Sequence, residues 1–400
     1  MTRRVSKCAR LALRVAILVM SVAGAGCGQA GPIAAAARPP AMPPAPATRA
    51  VWVARFHYRT AEDVREIMAQ CRALGLNTVL FQVRGEATVA YASAHETWLR
   101  EFDERDPGFD PLAVAIEAAR ENGLRIEAWV NVTPGWYGRT PPRDLSHVYH
   151  AHPEWFLHDQ QGARQALNEH YVILNPCLPE VRAHIVAVLE ELARAYGIDG
   201  LHLDYVRFAW DATPGAASRF PRDAATLAAY QRQCGRSPDD DDDAWRHWRA
   251  NQLTRLVADI RDMLRRARPR ATLSAALWGD AGAGYRDYLQ NGPGWLAAGL
   301  IDVAYPMAYR TAADEFRRNV AGYHALGGRV VPGIGVYRLE RPAALREQLA
   351  ACAEWGGDFA LFSYESLLPT FRDRRQARPD RRVEAQRAAR RAVLAEFLER

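Results

Sequence analysis

Residues 198–208 read IDGLHLDYVRF, and their alternation decides the fold. In an extended strand residues two apart share a face, so His202 and Asp204 look into one space while Leu201 and Leu203 pack on the other side. A lone Asp at a strand end is more often the cap of the next helix. The surrounding chain argues for more. Apolar strand-like runs recur at 50–56, 78–83, 125–130, 200–203, 272–277, 301–307, 330–336 and 359–362. Amphipathic stretches at 61–74, 111–122, 179–196, 245–267, 285–298, 313–326 and 342–355 read as helices, and Gly75, Gly123, Gly197, Gly299, Gly327 and Gly356 stand where left-handed caps would close most of them. Eight strand signals alternating with helices predict parallel strands joined by right-handed crossovers, and eight closes an α/β (β/α)8 TIM barrel over 49–367.

In such a barrel chemistry gathers at the carboxyl ends of the strands. Polar and aromatic side chains expected there are Gln82, Arg84 and Glu86 after strand two, Asn131 after three, and His202, Asp204 and Arg207 at four. Trp278 and Asp280 follow strand five, Tyr305 and Tyr309 six, Tyr337 and Arg338 seven, and Tyr364 and Glu365 eight. Aromatic rings among carboxylates and arginines suit a sugar, whose apolar faces stack while its hydroxyls need hydrogen-bonding groups. For any one ring core packing is the commoner role, so their joint position carries the argument. Two insertions, 133–178 after strand three and 209–244 after strand four, leave the same face and can wall a groove. The pair His150 and His152 lies in the first; Pro153 follows directly and no His/Asp set joins it at strand ends, so no metal and no cofactor is expected.

The segments GLNTVLFQVRGEATVAY (75–91), DPLAVAIEAARENGLRIEAWVN (110–131), NPCLPEVRAHIV (175–186), YGIDGLHLDYVRF (196–208) and IDVAYPMAYR (301–310) resemble the bacterial family-10 glycosylhydrolase-like lipoproteins. The resemblance spans roughly residues 50–367, the whole expected barrel. It implies glycoside hydrolysis, with some members acting on peptide-free peptidoglycan strands. It supports Gln82, Arg84, Asn131, His202, Asp204, Arg207 and Tyr309 as site residues; Trp278 and Tyr364 join them by position as substrate-binding candidates. It does not supply a second carboxylate.

Glycosidic cleavage takes two carboxyl groups, one ionised and one protonated. Asp204 is expected to be the ionised one, because Arg207 and Arg84 would favour its charged form. The acid is then sought on another loop: Asp280 is favoured because its strand adjoins that of Asp204, ahead of Glu365 at strand eight and Glu86. Two other classes stay open on sequence, a polysaccharide-binding protein with the same fold and a metal-dependent deacetylase.

The amino terminus concerns the compartment. Residues 1–26 carry Arg3, Arg4, Lys7, Arg10 and Arg14, no acids, and an apolar run before Cys27, which is the layout of a secretory signal. Gly24-Ala25-Gly26-Cys27 resembles a lipoprotein signal whose Cys is lipidated, with Gly24 where Leu is usual. The Pro/Ala-rich 27–48 reads as a tether and 368–400 as an Arg-rich helix. The processed chain is thus expected in the periplasm, lipid-anchored to the outer membrane. Losing five basic residues from a formal charge of +6 leaves it near +1, which gives no nucleic-acid footprint. The acidic run 239–243 is expected to be a solvated helix start. Among the cysteines, Cys177 with Cys234 is the one bridge to consider; Cys71 and Cys352 read as buried thiols.

Overall fold

A computed structural model describes residues 46–208, 220–376 and 380–399. The signal segment, Cys27, most of the tether and part of the second insertion, with Trp210, lie outside the described residues. Eight parallel strand positions close on themselves: β1 (Arg49–Val53), β2 (Thr78–Arg84), β3 (Arg125–Asn131), β4 (Gly200–Asp204), β5 (Thr272–Trp278), β6 (Val303–Met307), β7 in two pieces (Arg329–Val330 and Gly333–Gly335) and β8 (Phe359–Phe362). β1 pairs in parallel with both β2 and β8, which completes the barrel.

Alternation sorts the side chains. One buried cluster, including Val51, Val79, Phe81, Ala128, Leu201, Leu203 and Leu273, lies between strands and helices. A smaller one, with Ala50, Trp52, Leu80, Trp129, Tyr305 and Ala360, fills the barrel interior. Every residue of β2 is buried, as a strand covered on both faces requires. The helix Ala61–Ala73 begins in a capping box between Thr60 and Asp63. Asp241 caps the long helix Asp242–Ala267 by accepting from Ala244 N at 2.9 Å, so the acidic run is a helix start.

Three local expectations fail for visible reasons. The helix expected over 285–298 is two, Ala281–Tyr288 and Gly292–Ala297, because Leu289 turns left-handed (φ 59°) and Asn291 caps a fresh start. Gly197 is not a left-handed cap: the helix Pro179–Ala195 ends where Tyr196 turns extended. Cys177 is a buried free thiol, so no Cys177–Cys234 bridge forms.

The Arg-rich carboxyl end is the helix Arg381–Leu398, which lies against the helix Pro342–Ala353. Arg387, Arg390 and Arg391 donate to the carbonyls of Glu365, Ser366 and Leu367, so its arginines strap down the chain after β8. Among the described residues no helix is long and apolar enough to cross a membrane.

Candidate active site

A cavity of about 610 Å³ opens at the carboxyl ends of the strands. Its wall combines Trp52, Gln82, Trp129, Asn131, Asp204, Trp278, Tyr309 and Phe362 with Tyr171 and Tyr205 from the loops. Glycines in β7 make the space. A Cβ on Gly333 would come within 3.2 Å of the Trp52 ring, and one on Gly335 within 2.8 Å of the Tyr309 Cβ. Tyr309 stacks on Phe362, with ring centroids 5.4 Å apart, and Trp52 meets both edge-on.

Beneath the cavity runs a buried polar chain. Trp52 Nε1 donates to His202 Nε2 at 3.1 Å, which makes that nitrogen the acceptor and assigns the proton to Nδ1. Nδ1–H then faces Ser274 Oγ at 2.8 Å, and the Ser274 hydroxyl donates to Glu127 Oε2 at 2.6 Å. Burial holds His202 down to about 3, so it is neutral. Burial likewise pushes Glu127 above its ordinary value. Gly200 in the opening motif is there for Glu127, since a Cβ would meet its Cγ at 2.8 Å. His202 therefore supports Trp52 from below and does not line the cavity, correcting its expected contact with substrate.

Asp204 stands at the end of β4, 5 % exposed. Trp129 Nε1 donates to its Oδ2 at 3.2 Å, and the backbone N of Tyr205 to its Oδ1 at 2.6 Å. That second bond depends on an uncommon backbone: Tyr205 is left-handed (φ 52°), a conformation costing an L-residue about 1–2 kcal/mol. The Thr133 hydroxyl, 2.6 and 2.8 Å from the carbonyls of Tyr205 and Arg207, ties the turn down. Burial raises the Asp204 carboxyl to about 6 even though Arg207 and the two hydrogen bonds pull the other way. The expected help from Arg207 is present but smaller than desolvation, so Asp204 is harder to ionise than an ordinary aspartate.

Arg84 gives no help because it faces elsewhere. Its guanidinium forms a buried ion pair with Glu96, with Nη2 2.6 Å from Oε1, and donates to the carbonyls of Asn131 and Val132. Burial would raise Glu96, but Arg84 and His184 hold it down to about 2. Breaking such a pair costs about 3–5 kcal/mol, so Arg84 is a fastener for the loop after β3. Tyr364 is fully buried, its hydroxyl 2.5 Å from Gln70 Oε1. Glu365 lies outside the cavity lining, half-exposed, 3.6 Å from His57 Nε2. Glu86 is buried between Arg55 (2.8 Å) and Arg100 (2.9 Å). None of these reaches the cavity.

Asp280 does reach it, as an exposed side chain on the rim that also caps the helix Ala281–Tyr288. Gln82 and Asn131 line the wall; Gln82 accepts from Arg55 N at 3.1 Å, and the buried Asn131 Oδ1 has no partner among the described residues. Arg207 and Trp278 line it too, the guanidinium lying 4.2 Å over the Tyr205 ring and 5.3 Å from that of Trp278. The two histidines of the first insertion stay apart from the site: His150 meets the Pro142 carbonyl at 2.9 Å, and His152 stacks on Trp155 at 3.8 Å. Among the described residues no group of three His, Cys, Asp or Glu could hold a metal ion.

Lining residues that the sequence reading does not single out include Trp52, Arg55, Phe56, Trp129, Tyr171, Tyr205 and Phe362. Trp129 was findable, because it sits two before Asn131 and so shares its inward face. Trp52 carries the same period-two signal in β1. Tyr171 comes from a short strand, Tyr171–Ile173, that pairs with Pro134–Tyr137 inside the insertion, and nothing local foretells its direction.

Residues 47–325 match the model of the family described as Glycosyl hydrolase-like 10. The chain is 27% identical over 293 residues to the glycosyl hydrolase YngK of Bacillus subtilis (strain 168), covering 65% of this chain and 54% of that protein. It is 24% identical over 310 residues to the glycosyl hydrolase DigH of Escherichia coli (strain K12), covering 68% and 65%. It therefore spans between half and two thirds of each relative's length. Among solved structures, the glycoside hydrolase domain of PgaB (BpsB) from Bordetella bronchiseptica superposes with a TM-score of 0.61 at 17% identity, over 87% of this chain and 99% of that one. The α-L-fucosidase isoenzyme 2 from Paenibacillus thiaminolyticus gives 0.59 at 15% identity, over 88% and 49%. At such identities the two structures speak to the fold alone.

The raised Asp204 carboxyl has a consequence for stability. Folded Asp204 takes up its proton near 6 and the unfolded chain near 3.8, so between these values the folded state holds more protons and gains stability as pH falls. Asp204→Asn removes that gain. Urea unfolding of both proteins at pH 7.5 and pH 4.5 should show the difference moving in favour of the wild type by about 2 kcal/mol at the acid end. A difference that does not move with pH would contradict the raised value of the buried carboxyl.

Proposed function

We propose, from the premise that this chain belongs to the glycosyl hydrolase-like 10 family, that it is a glycoside hydrolase acting on cell-envelope glycan, peptidoglycan strands above all. The observation that carries the reading is Asp204, a carboxyl group kept protonated to about pH 6 inside an aromatic-walled cavity of glycan-binding size. Trp278 and Tyr309 offer ring faces to sugars over a floor of nearly buried Trp52 and Trp129; Gln82 and Asn131 offer hydrogen bonds to hydroxyls.

The roles of the carboxyl groups follow from their surroundings and reverse the expectation from sequence. Asp204 is the general acid: its proton passes to the glycosidic oxygen as that oxygen takes the electron pair of the breaking C–O bond. Asp280, exposed on the rim and one strand over, is the partner that takes a proton from the water whose oxygen bonds to the anomeric carbon. Trp129 and the Tyr205 N–H hold the Asp204 carboxyl in place and stabilise the anion left behind. Arg207 helps carry that charge.

The amino-terminal pattern supports a periplasmic location with a lipid on Cys27, facing envelope glycan. Under this reading a Cys27→Ala chain takes up no label from a radioactive fatty acid, whereas equal labelling sinks the anchor.

Incubating the full chain with peptide-free peptidoglycan strands and with a panel of neutral polysaccharides, and weighing the products by mass spectrometry, tests the activity. Saccharides should be released from the strands. Asp204→Asn should lower the rate on the order of a thousandfold with the fold intact. An acid works only while protonated, so the wild-type rate should fall as pH rises through about 6. Ordinary turnover by Asp204→Asn, or no release from any glycan, would overturn the reading.

A further inference from the structure

The cavity does not end at Tyr171 and Tyr205. A second groove of about 830 Å³ shares Arg55, Phe56, Tyr171 and Tyr205 with it and runs on to a turn after β8. Five arginines line this arm, Arg55, Arg59, Arg100, Arg372 and Arg375, against two acids, Glu101 and Asp103.

These arginines differ in how far they are already neutralised. Arg55 and Arg100 are matched to Glu86 and Glu101 at 2.8–3.1 Å. Arg59 has a long contact of 3.5 Å to an exposed Asp103, of little energetic weight. Arg372 and Arg375 are exposed, and among the described residues neither has a carboxylate within ion-pair distance. Both guanidinium groups lie over the Phe371 ring, at 5.7 and 5.6 Å, and Arg372 also reaches Phe56 at 5.9 Å.

The turn that presents them is fastened on its other side. Thr370 and Asp373 form a capping box, Asp373 is held by Arg387 at 3.0 Å, and Arg374 is committed to Asp63 and Glu66 at 2.5 and 2.8 Å. Arg372 and Arg375, three residues apart, are left facing the arm with their charge unspent. Both lie beyond residues 47–325, which match the family model, whereas Arg55, Arg59 and Arg100 lie within them.

We infer that the arm is a subsite for a carboxylate carried by the glycan, next to the sugar being cut, with Arg372 and Arg375 as its main ligands and Arg59 beside them. A neutral sugar has no need of this arrangement: a guanidinium is all donor and no acceptor, and its planar fork matches a carboxylate. A groove with a surplus of one charge also concentrates ligands of the other. The inference rests on the glycoside hydrolase reading for the neighbouring cavity. The carboxylate can belong to a lactyl ether, as on peptide-free peptidoglycan, or to a uronic acid ring.

The test measures equilibrium binding of the full chain, wild type and Arg372→Gln/Arg375→Gln, to peptide-free peptidoglycan strands, to a polyuronate, and to each polymer after its carboxyl groups are amidated. The wild type should bind at least one polymer about five- to tenfold more tightly than its amidated form, a preference that shrinks with added salt. The double variant should lose the preference while binding the amidated polymer unchanged; Arg374→Gln should keep it. A preference for the strands alone assigns the lactyl carboxylate, and for the polyuronate alone the ring carboxylate; either supports the arm. No preference in the wild type, no binding to either polymer, or equal weakening of both forms in the double variant overturns it. Failure of the hydrolase reading looks different, since cleavage would be absent while the arginine-dependent preference persists.

Discussion

The site depends on one carboxyl group kept out of water. Asp204 ends a strand whose neighbours on both sides are also buried, so its charge meets desolvation before it meets any partner. Two N–H donors and a nearby arginine offset only part of that. A rise from 3.8 to about 6 corresponds to roughly 3 kcal/mol in favour of the neutral form. That same imbalance suits proton donation near neutral pH, so an unfavourable term in folding is what the chemistry uses.

The barrel interior explains how the group is held steady. Its polar chain, Glu127 to Ser274 to His202 to Trp52, satisfies buried donors and acceptors in sequence and ends on a ring of the cavity floor. Small residues fix the spacing: Gly200 admits Glu127, Gly333 admits Trp52 and Gly335 admits Tyr309. Above the floor, the left-handed Tyr205 aims its N–H at Asp204 and its ring at the cavity, a local strain kept in place by Thr133.

The barrel was legible because period-two strands and Gly-closed helices repeat along the whole chain, and the strand-end rule then placed Asp204, Gln82, Asn131, Trp278 and Tyr309 at the cavity. What misled was direction and partnership. Arg84 sits two positions past Gln82, so alternation alone would keep both on one face; the register of β2 against β3 shifts between them, and Arg84 instead finds Glu96, twelve residues on in a loop that no periodicity locates. Tyr364 follows β8 but points to the helix Ala61–Ala73. The weight of desolvation at Asp204 is not legible, because arginines can be counted in a sequence and burial cannot. Tyr171 was missed since its position depends on a hairpin inside an insertion.

The central claim is that desolvation outweighs arginine at Asp204, and a direct titration reaches it most simply. In protein labelled with ¹³C at the aspartate side-chain carbons, the resonance absent from Asp204→Asn identifies the group, and its chemical shift followed from pH 3 to pH 8 gives its midpoint. The account predicts a midpoint near 6. A midpoint at or below that of an ordinary exposed aspartate, about 4, would contradict it.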